Sequence, residues 1–276
     1  MNILANILPF FLKEIDNFSR REIISFAYLS IEKILGFSKS DCILNSNYIL
    51  SDEDISSFEK IIVDIKKNIP IQYVLGETHF YNLKFNVNSS TLIPRPETEE
   101  LVRDIIRHNF SSVLDIGTGS GCIAISIAKN SNASIDAIDN SKEALEIAKS
   151  NAILNSVDVN FMFNDVFGIS VTKKYDLIVS NPPYVLNSEK KYMHQNVIDY
   201  EPHNALFVED SNPLIFYEKI ALIASKHLNS NGLLFFEINE NFGEQIIDLL
   251  LKLNFVDIEL KKDINGRDRI IKSVFK

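Results

Sequence analysis

Up to residue 70, apolar positions recur at three- and four-residue intervals. Ile7, Leu8, Phe11, Leu12, Ile15 and Phe18 fall on one helical face, and Ile23, Ile24, Ala27, Tyr28, Ile31 and Leu35 on another. Gly36 is a natural stop for the second helix. Ser51 followed by Asp52, Glu53 and Asp54 marks a capped start with an acidic first turn. The helix after it carries Ile55, Phe58, Ile62 and Ile65 inward and ends before Pro70. The pattern predicts a small helical bundle over 1–70. From 71 to 92 the rhythm shortens towards period two, from Leu83 to Val87, which predicts a β-hairpin linker. Pro94-Arg95-Pro96 is a stiff stretch, and Leu101, Val102, Ile105 and Ile106 mark a further helix.

Beyond residue 111, short apolar runs alternate with longer amphipathic ones. Strands are predicted at 113–116, 135–138, 159–163, 177–179, 233–238, 255–260 and 269–275. Helices fall at 123–128, 141–154, 214–227 and 242–253. This alternation predicts an α/β, Rossmann-like domain over 93–276, a mostly parallel seven-stranded sheet whose last two strands can pair antiparallel.

Composition adds exclusions. The formal net charge of -9 argues against coating a phosphate backbone, and within 1–70 acids outnumber bases, so no direct nucleic-acid partner is expected. No apolar run approaches the roughly 20 residues that span a bilayer, and Pro9, Lys13, Glu14 and Asp16 break up the apolar N-terminus, so neither membrane nor targeting segment is expected. Only Cys42 and Cys122 are present, which fits a reducing, cytoplasmic setting. The five histidines show no metal-ligand spacing, and no metal is expected.

Two segments carry chemistry. The first is the run from Val113 to Ile116 leading into Gly117-Thr118-Gly119-Ser120-Gly121 and then a helix. Glycines let a backbone approach a ligand closely, and a helix start offers N–H groups and partial positive charge. Asp139 lies 22 residues beyond Gly117, where a carboxylate can accept ribose hydroxyls; the alternative is a helix cap, a duty that suits Asn140 or Ser141 better. After the third strand, Asp165 is a candidate acceptor for an adenine amine and Val166 a cover for its ring, against the alternative of an ordinary loop. These features fit either NAD or S-adenosylmethionine. Asp115, expected at the mouth of the first strand, suits a sulfonium and amino-acid tail better than a pyrophosphate.

The second segment is Asn181-Pro182-Pro183-Tyr184, at the C-terminal end of the strand through Val179, the edge that faces the ligand crevice in such sheets. The Asn181 side chain and the Pro182 carbonyl offer two acceptors, matching the two hydrogens of a planar NH₂. The prolines stiffen the loop, and Tyr184 offers a face for stacking. Gripping both hydrogens can aim the nitrogen lone pair at an activated methyl without a strong base.

The chain resembles the HemK/PrmC family, the peptide chain release factor glutamine methyltransferases. The resemblance rests on Pro70-Ile71-Gln72-Tyr73 with Gly76, on Leu92-Ile93-Pro94-Arg95-Pro96-Glu97-Thr98-Glu99, on the glycine turn and on Asn181 to Tyr184. It extends through Glu201-Pro202 with Ala205-Leu206 and Asn265-Gly266-Arg267-Asp268-Arg269. It implies a class I methyltransferase fold with S-adenosylmethionine as cofactor and S-adenosylhomocysteine as product. The acceptor would be the glutamine of the GGQ motif in release factors, recognised with help from the helical bundle. Gly117 to Gly121, Asp139, Val166 and Asn181 would meet the cofactor, and Asn181 to Tyr184 the glutamine. A monomer is expected. The sequence departs from the family where Val166 replaces a usual aromatic, in Phe207-Val208-Glu209-Asp210, and at Asn239, where glycine is usual.

Two other acceptors compete. Adenine's exocyclic amine is also a planar NH₂, but the acidic first 70 residues disfavour a nucleic-acid clamp. A glutamine of a large-subunit ribosomal protein is nearer, though that group typically lacks the run Glu97-Thr98-Glu99. Arg95 and Glu97 fit either a clasp on the hairpin or an active-site role. The polar stretch 187–199 is either a lid over the substrate loop or an ordinary surface segment.

Overall fold

A computed structural model describes residues 2–168 and 172–276. The chain forms two compact units, one of residues up to Gly76 together with Gln195–Tyr200, the other of Glu77–His194 and Glu201–Lys276.

The first unit contains α1 (Ile7–Glu14), α2 (Arg20–Leu35), α3 (Lys39–Leu44), α4 (Asp52–Lys66) and α5 (Ile71–Leu75). Ser19, Ser38 and Ser51 each accept from the third helical N–H, while Glu22, Asp41 and Asp54 reach back to the cap N–H. Gly36 ends α2 in the left-handed conformation, as expected at that glycine. The predicted first helix is shorter than its apolar pattern, since Ile15 is already extended. Ile7, Phe11, Ala27, Phe58 and Ile65 form the centre of this unit's core. Pro70 does not end helical structure here: it opens α5, which Gly76 closes in the left-handed region. The linker segment therefore begins with a helical turn before its hairpin.

The second unit opens with that hairpin, β1 (Glu77–Phe80) and β2 (Leu83–Asn86). Tyr81 and Asn82 at its tip both have positive φ, and the Tyr81 N–H donates to Glu99 at 2.9 Å. Then come α6 (Pro96–Ile105), β3 (Ser112–Ile116), α7 (Cys122–Lys129), β4 (Ser134–Asp139), α8 (Lys142–Leu154), β5 (Asn160–Phe163) and β6 (Tyr175–Ser180). Next in chain order are β7 (Val185–Leu186), a 3-10 turn over Asn187–Tyr192, α9 (Gln195–Tyr200), which belongs to the first unit, then α10 (His203–Leu206), β8 (Phe207–Val208), α11 (Ile215–His227), β9 (Leu228–Glu237), α12 (Gly243–Lys252), β10 (Phe255–Lys262) and β11 (Asp268–Phe275).

The main sheet has seven strands in the order β10-β11-β9-β6-β3-β4-β5. All neighbours are parallel except β11, which runs antiparallel to both β9 and β10. Two apolar layers sandwich it. Leu101, Ile123, Ile127, Leu177 and Phe235 belong to one, and Leu114, Ile178, Tyr217, Ile220 and Phe236 to the other. Adjacent residues of one strand thus serve opposite layers, as period two requires. Among the described residues no helix is long and apolar enough to cross a membrane.

The stretch 187–199 is built of helical turns. Glu189 accepts from the Leu186 N–H and from Asn239, and α9 belongs with the first unit, where the Tyr200 hydroxyl donates to the Lys67 carbonyl at 2.8 Å.

Candidate active site

The chain runs outward from β3 to β4 and β5, then returns to place β6 on the other side of β3. That reversal opens a crevice at the carboxyl ends of the strands. Because β3 and β6 are parallel with Ile116 beside Ser180, the residues after each strand emerge side by side. The buried Ser180 hydroxyl ties the two ends, donating to the Ile116 carbonyl at 2.7 Å. One pocket is therefore lined by Gly117 and Gly119 from the glycine turn and by Asn181, Pro182 and Pro183 from the loop after β6.

The three glycines of the turn do different work. All have positive φ. A Cβ at Gly117 or Gly119 would meet no atom within 4 Å, so these two leave open backbone towards the pocket. At Gly121 a Cβ would lie 2.9 Å from Ile125 Cδ1 and 3.2 Å from Ala148 Cβ, so this glycine lets α7 close onto α8. Within the turn, Gly117 and Thr118 donate to the Ile138 carbonyl, Gly119 to Asp139, and Gly121 to Thr118. These N–H groups are engaged inside the protein, and the contribution of Gly117 and Gly119 to the pocket is close approach, as expected of glycines there. Thr118 and Ser120 are buried beneath it; Thr118 donates to Asp115 at 2.7 Å, and the Ser120 carbonyl accepts from Asn151.

Asp115 differs from expectation. It is fully buried under the turn and does not line the pocket; Oδ2 accepts from Thr118, and the Ala124 N–H lies against the carboxyl. Burial pushes its carboxyl up to about 7, against the Thr118 hydroxyl and the Ala124 N–H, which pull it down. A carboxyl with a raised folded pKa keeps its proton between about pH 4 and 7 while the unfolded chain loses it, so stability falls as pH rises through that window and levels off above. Asp115→Asn should remove this fall. We expect wild type to lose at least about 1 kcal/mol relative to the variant between pH 4 and 7.5, measured by urea unfolding. Parallel stability curves would refute the buried acid.

Asp139 lines the pocket, with Oδ2 accepting from the Gly119 N–H at 2.8 Å and Oδ1 from the Ser141 N–H at 2.9 Å. The cap of α8 is Ser141, which accepts from the Ala144 N–H, so Asp139 is not the cap. Burial raises its carboxyl, and the backbone N–H bonds from Gly119 and Ser141 oppose this. Each oxygen still has a lone pair for a further donor. Val166 lines the pocket, but Asp165 does not: it is exposed, and its Oδ1 accepts from the Phe167 N–H. The polar side chain that reaches the pocket from this loop is Asn164.

Tyr184 is not a lining residue. Its hydroxyl donates to Glu237 at 3.0 Å, and the Arg269 guanidinium lies 6.0 Å from its ring centre. Burial pushes its phenol pKa upward. Arg95 pairs with Glu201 at 2.6 Å, and Glu201 also accepts from the Ile93 N–H, while Glu97 accepts from Asn265 at 3.5 Å. Neither Arg95 nor Glu97 lines the pocket; both brace loops of this unit.

Sequence reasoning missed Thr91, Asn164, Asn204 and Phe216 as lining residues. Phe216 lies on α11, a long way along the chain from the motifs, and its amphipathic pattern reads as core. It contacts Phe167 with ring centres 5.3 Å apart, so an aromatic face is present beside Val166.

Comparison with known proteins agrees with this architecture. Residues 96–266 match the family described as Methyltransferase small domain, and residues 11–76 match PrmC N-terminal domain. A release factor glutamine methyltransferase of Flavobacterium psychrophilum is 48% identical, covering 94% of each chain. That of Bacteroides thetaiotaomicron is 44% identical over 93% of this chain and 94% of its own. Among solved structures, a methyltransferase from Pyrococcus furiosus shares the fold at TM-score 0.55 and 19% identity, covering 71% of this chain and 90% of that one.

Proposed function

The chain belongs to the release factor glutamine methyltransferase family, and from that premise we propose how its pocket divides the work between S-adenosylmethionine and a glutamine side chain. The transfer places one methyl on the side-chain amide nitrogen of glutamine in the GGQ motif, in place of one N–H hydrogen that leaves as a proton after transfer, with S-adenosylhomocysteine as the other product. The observation that carries this reading is the single pocket shared by the glycine turn and Asn181-Pro182-Pro183.

The residues present fit the cofactor. Open backbone at Gly117 and Gly119 leaves room that any side chain would fill. Asp139 offers spare carboxylate lone pairs to the two ribose hydroxyls. Ile138, Val166, Phe216 and Ile220 supply apolar walls for a flat ring, and Asn164 a polar edge. Bound there, S-adenosylmethionine supplies a methyl made electrophilic by positive sulfur.

The protein's own part is orientation. An amide nitrogen is a weak nucleophile because its lone pair is delocalised into the carbonyl. The Asn181 carboxamide oxygen and the Pro182 carbonyl accept its two hydrogens and so aim the nitrogen, while Pro182 and Pro183 keep the two acceptors at a set separation. Tyr184 anchors the far end of the loop. Val166 with Phe216 takes the place of the usual aromatic.

For Asp139→Ala we expect cofactor affinity to fall about tenfold, since charge-assisted bonds to the ribose are lost. Titration calorimetry with S-adenosylmethionine checks this; an unchanged dissociation constant would remove Asp139 from the ribose site.

A further inference from the structure

We propose that Glu237 is a positioning residue that holds both ends of the substrate loop through two hydroxyls, Thr98 at one end and Tyr184 at the other. This rests on the assignment of Asn181 to the glutamine amide.

The placement follows from the sheet. β9 lies beside β6 with Phe236 paired to Ser180, so Glu237 comes next to Asn181 as both strands end. β11 pairs Ile270 with Glu237, which brings Arg269 to the same place. α6 contributes Thr98 from its first turn. Segments from four distant parts of the chain thus converge on one buried carboxylate.

Glu237 accepts from the Thr98 hydroxyl at 2.6 Å and from the Tyr184 hydroxyl at 3.0 Å. A hydroxyl has one hydrogen. Having given it to Glu237, Thr98 can only accept from its other neighbour, and that neighbour is the Asn181 side chain at 3.5 Å. The group of Asn181 facing Thr98 must then be its NH₂, which turns the carboxamide oxygen the other way. The Asn181 contact is long, so its weight lies in choosing between the two flips of an amide. The same logic holds at Tyr184, whose oxygen accepts from Arg269 at 3.5 Å while its hydrogen goes to Glu237. Arg269 is itself fixed by Asp263 and the Ile238 carbonyl. If the Thr98 hydroxyl were lost, the Asn181 amide could present NH₂ to the substrate, donor facing donor.

The test uses the full chain, a purified release factor and S-adenosylmethionine. Thr98→Val removes the hydroxyl at nearly constant shape, Thr98→Ser keeps it, and Glu237→Gln forces one of the two hydroxyls to reverse. We expect kcat to fall about tenfold in Thr98→Val and Glu237→Gln. Thr98→Ser should stay within about twofold of wild type in kcat, while Thr98→Val should keep its cofactor affinity and remain folded at the assay temperature, with its unfolding temperature lowered because the buried Glu237 loses a donor. Wild-type kcat in Thr98→Val, or equal losses in the Val and Ser variants, would overturn the proposal. If Glu237→Gln does not fold, Tyr184→Phe takes its place, with the same kcat loss expected. A wild-type protein that transfers no methyl to glutamine overturns the functional reading itself, and this proposal with it.

Discussion

Asn181→Ala should abolish most methyl transfer while leaving the cofactor bound. The side chain is one of two acceptors proposed for the glutamine NH₂, and it lines the pocket beside the glycine turn. With it gone, the Pro182 carbonyl alone cannot fix the rotation of the amide, so the lone pair is no longer aimed. Loss of one preorganised polar contact at a reacting group costs about 10²- to 10³-fold in kcat. Cofactor affinity should change far less, because Gly117, Gly119 and Asp139 remain. Single-turnover rates with calorimetry separate the two effects; full activity in the variant would end the amide-clamp mechanism.

Gly121→Ala should cost stability rather than chemistry. The position has φ +81°, where a Cβ meets the following carbonyl, and that conformation costs about 1–2 kcal/mol outside glycine. The new Cβ also strikes Ile125 at 2.9 Å and Ala148 at 3.2 Å, between two packed helices. Overpacking of this kind adds about 1–3 kcal/mol. A total of about 2–5 kcal/mol is a large part of the 5–15 kcal/mol that holds a typical domain folded. Gly119→Ala provides the contrast: its φ of +54° carries the same backbone cost of about 1–2 kcal/mol, but its Cβ meets nothing within 4 Å, so the overpacking is absent. That variant should keep most of its stability and lose cofactor affinity. Denaturant midpoints for the two variants test the distinction; equal destabilisation would contradict separate roles within the turn.

The parallel sheet was legible because its strands are buried on both faces and read as short apolar runs between amphipathic helices. Leu114 and Leu177 with their neighbours could hardly be anything else. Boundaries were harder where polar residues continue a strand. β9 starts at Leu228, well before the predicted 233, because Asn229, Ser230 and Asn231 hide it; Asn231 even has positive φ. The short α5 was hidden by Pro70, which reads as a stop signal; α4 has already ended at Lys66, and Pro70 stands at the start of the next helix.

The site divides in the same way. Gly117, Gly119, Asp139 and Asn181 to Pro183 were readable because each follows a strand at the ligand edge. Asp115 was misjudged, since a strand's last residues alternate between faces and only packing shows that this one turns inward. Asp165 is the candidate for the adenine amine in the sequence, yet its carboxylate closes a local turn on the Phe167 N–H, and Asn164, which the sequence reading did not weigh, lines the pocket instead. Thr98 lies 83 residues before Asn181 and Glu237 follows it on another strand, so only the packing of α6 and the pairing of β6 with β9 bring them together. No local pattern encodes such a meeting.

The most direct test of the account is mass spectrometry of a purified release factor after incubation with this protein and S-adenosylmethionine, beside a release factor whose GGQ glutamine is replaced. The account predicts the gain of a single methyl on the GGQ peptide, absent from the replaced factor. No gain from a protein that demonstrably binds its cofactor, or a gain that persists without that glutamine, would contradict it.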